Sequence, residues 1–171
     1  FNLIQMITIF FRFWRKASVA LLMGVLLFSY TELPESVAVL YDTFGKPTAF
    51  LDKSTFFYGA TFLFIFFNLL LGLLRNQLSK IDFSKVNPLS IWAKEKEQLA
   101  DVLAGWSEAF NALINTYLVF VLMGLKNINS DTEQNLTVNM NWILIIGAVI
   151  LLILIFFLPL RLLYSNPKIR N

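Results

Sequence analysis

An all-α integral membrane protein of four transmembrane helices is the fold this sequence predicts, and three observations carry the prediction. Hydrophobic residues fill 57% of the 171 positions, 18 of which are Phe. Charged residues make up 15%, against roughly 25% in ordinary soluble domains. A mean hydropathy of +0.67 implies more apolar surface than a soluble domain of this size can enclose, so lipid is the simplest surrounding that satisfies it.

The residue types that are missing narrow the chemistry. The chain has no Cys and no His. Disulfides, thiol catalysis, thiolate-bound zinc and iron–sulfur clusters are therefore excluded, as are imidazole-ligated haem, Ser-His-Asp catalysis and His-containing metal sites. No P-loop, glycine-rich phosphate cradle, paired-carboxylate site or nucleophile motif occurs. The expectation is a protein that is not an enzyme and takes no cofactor.

Residues 1–16, "FNLIQMITIFFRFWRK", form an interfacial segment or the start of a longer, tilted first span. The cluster Arg12, Arg15 and Lys16 ahead of an apolar run fits an uncleaved anchor better than a signal peptide. Its mixture with aromatics in "RFWRK" is an interfacial anchor, not a nucleic-acid site. The first span covers residues 17–33, with Phe13 and Trp14 at its interface, and an outer crossover covers 34–53. The second span, 54–74, ends at Arg75 and holds only Asn68 as a strongly polar residue. Residues 75–105 form a loop, 106–125 the third span, 126–141 an outer loop, 142–163 the fourth span and 164–171 the tail. The second, third and fourth spans are long enough to cross the hydrocarbon core, whereas the charge-free core of the first is short.

Within the long loop, Asn87 and Pro88 make a helix-start pair. Ile91, Trp92, Leu99, Val102, Leu103 and Trp106 fall on one face, with Lys94, Glu95, Glu97 and Asp101 opposite. This is an amphipathic helix before the third span, lying on headgroups, on its own bundle or against a partner. Basic residues concentrate in the N-terminal flank, in the long loop (Arg75, Lys80, Lys85, Lys94, Lys96) and in the tail (Arg161, Lys168, Arg170). The alternate loops hold only Lys46, Lys53 and Lys126. The positive-inside rule then puts both termini in the cytoplasm. The "NLT" sequon at Asn135 falls on an outer loop and carries no weight in a bacterial protein.

The crossover is the most distinctive stretch. Pro34 and Pro47 restrict the chain, "FGKP" makes a turn in which Gly45 can take positive φ, and "SVAVLY" alternates enough for a short extended piece. Val37, Val39, Tyr41, Phe44 and Phe50 are too apolar for a solvated linker and are expected to pack on the outer helix ends or on another molecule. "LPESVAVLYDTFGKPTAFLDK" resembles the signature of a bacterial membrane-domain family of unknown function found at the N-terminus of SdpI-type immunity proteins. Leu33 and Pro34 match its opening pair, Val37 and Val39 its extended apolar positions, and Tyr41 and Asp42 its aromatic and acidic positions. Gly45, Pro47, Phe50 and Lys53 match the remainder. Ala38 stands where the family usually has Pro, and Leu40 where it usually has His. The resemblance covers about residues 17–74 and implies a bacterial inner-membrane protein, with a link to immunity or signalling.

Glu108, Asn111 and Asn115 share one face of the third span. An intramembrane carboxylate is a functional-site hypothesis by default. The competing reading is structural: Glu108 lies half a turn inside Trp106, within reach of interfacial water, and the two Asn bond to neighbouring helices through Asn68 or Ser29. The fourth span offers no polar partner for a transport path, but has small residues, Gly147 and Ala148, where helices can approach closely. Three functions follow as expectations. The first is an accessory or scaffold subunit packed against a larger respiratory, secretion-motor or transport complex. Next is an SdpI-like immunity or signal-sensing protein whose crossover, with Asp42, Lys46, Asp52 and Lys53, meets a toxin or signal. Last is a transporter component using Glu108, Asn111 and Asn115. The expected surroundings are the lipid bilayer and a membrane-protein complex, without nucleic acid.

Overall fold

The computed structural model describes residues 3–78, 80–86, 89–136, 141–164 and 167. Its central element is α5 (Lys96–Asn129), 34 residues without a proline. Buried residues recur along it at three- and four-residue spacing, Leu99, Val102, Leu103, Ala109, Ala112, Asn115 and Val119 among them, which is the periodicity of a helix with a packed face. At 1.5 Å per residue it is about 51 Å long.

Against it lies α1 (Leu3–Glu32). Ser18, Leu22, Leu26 and Ser29 are its buried stripe, and α1 with α5 is the most extensive helix pairing in the fold. The two run parallel: Thr8 stands beside Gly105, Arg15 meets Glu108, and Glu32 lies 4.0 Å from Lys126. Of the two expectations for the N-terminal residues, the structure agrees with the longer helix. Residues 3–16 are not a separate interfacial segment but the first half of a 30-residue helix, because no Pro or Gly breaks the run before Ala17. Arg12, Arg15 and Lys16 thus sit mid-helix. They also interrupt its apolar run, so among the described residues three helices are long and apolar enough to cross a membrane: Lys53–Leu78, Lys96–Asn129 and Ile145–Tyr164.

The crossover is a β-hairpin, β1 (Ser36–Tyr41) antiparallel to β2 (Pro47–Asp52), with an irregularity in register at Val39. The extended piece was expected for β1 alone; β2 was not foreseen. The turn is built by Asp42, whose Oδ1 accepts from the N–H groups of Phe44 and Lys46 at 2.8 Å each. Gly45 adopts φ 80° as anticipated, a conformation that a side chain would strain.

From the hairpin, α2 (Lys53–Leu78) returns antiparallel to α1 and α5. Two short helices follow, α3 (Phe83–Val86) and α4 (Ile91–Lys94). Asp82 caps α3, accepting from the Ser84 hydroxyl at 2.6 Å. The Ser84 side-chain and backbone hydrogen bonds hold its carboxyl below the usual range, so this cap persists above the ordinary carboxylate value and is lost as pH falls through the lowered one. The expected amphipathic helix is broken at Glu95: its first turn is α4 and the rest is continuous with the third span in α5. Its apolar side packs inward, Trp92 of α4 and Leu99, Val102 and Leu103 of α5 clustering with Phe83, Leu158 and Leu162. The Asn87–Pro88 start pair lies outside the described residues, as do Lys168 and Arg170.

The last helix, α6 (Asn141–Tyr164), runs antiparallel to α5. The Trp106 indole N–H donates to the Leu154 carbonyl at 2.7 Å. At Gly147 the backbone comes so close to Tyr117 that an added Cβ would overlap the ring. Gly147 is therefore committed to the chain's own bundle and is not available to a partner helix, whereas Ala148 is exposed. Replacing Gly147 with Leu should overpack this contact and cost about 1–3 kcal/mol, read as a lower thermal midpoint in mild detergent and partly restored by adding Tyr117→Ala. An unchanged midpoint would mean the two helices do not meet there.

Candidate functional site

Helical spacing puts Glu108, Asn111 and Asn115 on one face of α5, and all three are buried, at 1%, 5% and 0% exposure. Facing them are Arg15 from α1 and Asn68 and Arg75 from α2. Arg15 Nε pairs with Glu108 Oε2, and Arg75 Nη1 lies 2.9 Å from Oε1. Both carboxylate oxygens are met by charge, without an aligned hydrogen bond. Glu108 is thus not a water-exposed interfacial residue. Two long guanidinium side chains from neighbouring helices cover it.

Above this cluster the amides close on one another. Asn68 Nδ2 donates to Asn115 Oδ1 at 3.0 Å, Asn115 Nδ2 returns a bond to Asn68 Oδ1 at 3.1 Å, and Asn115 Nδ2 also reaches Asn111 Oδ1 at 3.0 Å. Asn68 donates in addition to its own helix at the Phe64 carbonyl. Of the two partners expected for the stripe, Asn68 takes part and Ser29 does not. The result is a polar seam joining α1, α2 and α5. The amides are hydrogen-bonded to one another and the carboxylate is met by positive charge, as low-dielectric surroundings require.

A second anchor lies at the hairpin end, and sequence reasoning missed it. Asn129 is 2% exposed. Its Oδ1 accepts from Ala38 N–H at 2.7 Å while its Nδ2 donates to the Ala38 carbonyl at 3.1 Å, so one side-chain amide completes both backbone groups of a strand residue. The available signal was position: Asn129 follows Asn115 by four helical turns and lies on the same side of α5. Nearby, burial raises the Tyr41 phenol above its ordinary pKa, partly offset by the Asn129 hydrogen bond. Residues after α5 seal the hairpin: Leu136 N–H donates to the Gly45 carbonyl at 2.8 Å and Gln134 Nε2 to the Ser36 carbonyl at 2.9 Å. A Cβ on Gly45 would stand 2.8 Å from the Leu136 carbonyl oxygen.

The residues matched to the SdpI-type signature are spread over the hairpin and do not converge on a cleft. Leu33 is buried beneath it, Pro34 precedes β1, and Pro47 opens β2 opposite Tyr41. Lys53 Nζ lies 3.9 Å from Glu35 and over the Tyr30 ring. Val37 packs inward at 0% exposure, while Phe44 and Phe50 stand out at 87% and 48%, so of the two expectations for them, the helix ends or another molecule, the first is not met within this chain. Leu40, where the family has His, is also exposed. Ala38 departs from the family in a way that matters here: proline lacks the N–H that Asn129 accepts. Under the hairpin, α1, α2 and α5 border an open apolar pocket of about 360 Å³ lined by Leu22, Leu26, Val39, Leu51, Gly59 and Leu122 among others. Among the described residues no group of three or more His, Cys, Asp or Glu could hold a metal ion.

Neither a family model, nor a curated protein, nor a solved structure matches the chain.

Two outcomes follow. Glu108→Gln should leave two guanidiniums packed on a neutral amide and destabilise the fold by about 3–5 kcal/mol, measured by denaturant unfolding in nanodiscs. Ala38→Pro should free the hairpin from α5 without unfolding the helices, so that amide exchange of residues 36–52 accelerates while that of α5 is unchanged.

Proposed function

We propose that this chain is a non-catalytic, four-span bacterial inner-membrane protein that serves as an accessory or scaffold subunit of a larger membrane complex. The observation that supports this reading most is how its polarity is distributed. Glu108, Arg15, Arg75, Asn68, Asn111 and Asn115 are engaged with one another. The outward faces are left almost purely apolar: only 6% of the spanning window is buried in α2 and in α6. Phe62, Phe66, Leu69 and Leu73 project from the first, and Ile145, Leu152, Ile153 and Phe156 from the second. Such faces suit lipid and the flat apolar flank of a neighbouring helix bundle, where packing rather than chemistry holds subunits together.

The fourth span in this reading is α1, whose parallel alignment with α5 along most of its length favours crossing beside it. Arg15 and Arg75 meet at the Glu108 level, and Arg12, Lys16, Lys80, Lys85, Lys94 and Lys96 fall near them or farther from the hairpin in chain order, against Lys46, Lys53 and Lys126 on the hairpin side, which favours cytoplasmic termini. A transporter component has less support, since Glu108 is already matched by two cations.

One observation favours a second reading. Leu40, Phe44 and Phe50 are 61%, 87% and 48% exposed on the hairpin, an apolar group at its outer surface that suits an SdpI-like immunity or sensing protein contacting a toxin or signal. The two readings separate on purification of the tagged protein from its native membranes in mild detergent, with native mass and identification of co-purifying chains. A stoichiometric large complex that persists in a Phe44→Ser, Phe50→Ser variant is expected. A lone small particle would overturn the accessory reading and direct attention to the hairpin.

A further inference from the structure

The charges of the Glu108 cluster do not balance. Two guanidiniums face one carboxylate, so the group carries a net charge of +1 around a side chain that is only 1% exposed. Among the described residues no other carboxylate lies within ion-pair distance of Arg15 or Arg75. Because both cations are pinned to the same carboxylate, they stand close together and share the uncompensated charge. Such a charge is costly in apolar surroundings unless an anion reaches it.

Each guanidinium has donors left over. Five N–H groups are available on an arginine, and only Nε of Arg15 and Nη1 of Arg75 reach the carboxylate. Both side chains reach the surface in part, 30% of Arg15 and 39% of Arg75 being exposed. Arg12, also exposed, is one turn from Arg15 on α1. Exposed apolar side chains adjoin both arginines in sequence, Trp14 on α1 and Leu74 on α2. A planar donor fork matches phosphate oxygens in pairs, and the flanking aromatic and aliphatic side chains match hydrocarbon. One class of ligand combines the two.

We propose that Arg15 and Arg75, with Arg12 beside them, form a binding site for the phosphate of an anionic phospholipid, whose acyl chains run from there toward the hairpin end past Leu74. The lipid's negative charge neutralises the cluster; a zwitterionic lipid, which carries its own cation, does so poorly. This site is independent of the accessory-subunit reading.

The test uses the full chain, delipidated in detergent and offered phosphatidylglycerol, phosphatidylcholine or inorganic phosphate, with retained lipid counted by native mass spectrometry. The expected result is one phosphatidylglycerol retained with about tenfold preference over phosphatidylcholine, and no displacement by millimolar phosphate. Arg15→Lys with Arg75→Lys keeps both positive charges on Glu108 but removes the fork, and should reduce that preference about tenfold. Its thermal midpoint checks that it folds, and if it does not, the wild-type comparison decides alone. Equal retention of the two lipids overturns the proposal, as does a preference that survives in the folded double variant. Full displacement by inorganic phosphate would assign the site to a free anion and overturn it as well.

Discussion

One buried carboxylate ties three helices together. Glu108 on α5 is held by Arg15 from α1 and by Arg75 from α2, and the rest of the arrangement depends on that meeting. Between helices in lipid there is no hydrophobic driving force to choose one register over another, because acyl chains are as apolar as leucine. A charge that must be matched does choose. Sliding α2 by one residue against α5 would separate Arg75 from Glu108 and Asn68 from Asn115 together, since both pairs run between the same two helices. The ion cluster therefore acts on register as much as on stability, as a single buried polar residue does in a coiled coil.

Polar anchors at two levels give α5 its role as the central post. Glu108 serves one end, and Asn129, bonded to both backbone groups of Ala38, serves the other. The 21 residues from Glu108 to Asn129 rise about 31 Å, close to the roughly 30 Å of a hydrocarbon core. Between the anchors the contacts of α5 are mainly small and aliphatic, with the Asn68–Asn115 exchange as the polar exception. The hairpin is consequently a fixed cap and not a free loop: Asp42 shapes its turn, Gly45 and Leu136 join it to the residues after α5, and Val37 is fully enclosed.

Local chemistry was readable from the chain, and distant pairing was not. Apolar runs long enough to span were visible for α2, α5 and α6, as were the positive φ of Gly45, the extended β1 and the stripe Glu108, Asn111, Asn115 with Asn68 as a partner. These are matters of helical period, turn chemistry and composition, all contained in short windows. The continuity of α1 was hidden because basic residues in mid-helix look like the flank of a span. Arg15 and Arg75 were read as orientation signals for the same reason: nothing in their neighbourhood indicates that they turn inward onto a carboxylate far along the chain. β2 is a weak strand sequence, "PTAFLD", that forms because β1 pairs with it. Asn129 stands next to a turn, where an amide ordinarily has local work to do.

The central claim is that the Glu108 cluster is a structural clamp between α5 and α2. A double-mutant cycle tests it most directly: unfolding free energies in nanodiscs for the wild type, Glu108→Leu, Arg75→Leu and the double variant. The account predicts a coupling energy of at least about 1.5 kcal/mol, as for charges that depend on one another in a desolvated site. Additivity to within about 0.3–0.5 kcal/mol would contradict it, meaning that the two side chains do not sense each other and that something other than this ion pair sets the register of α2.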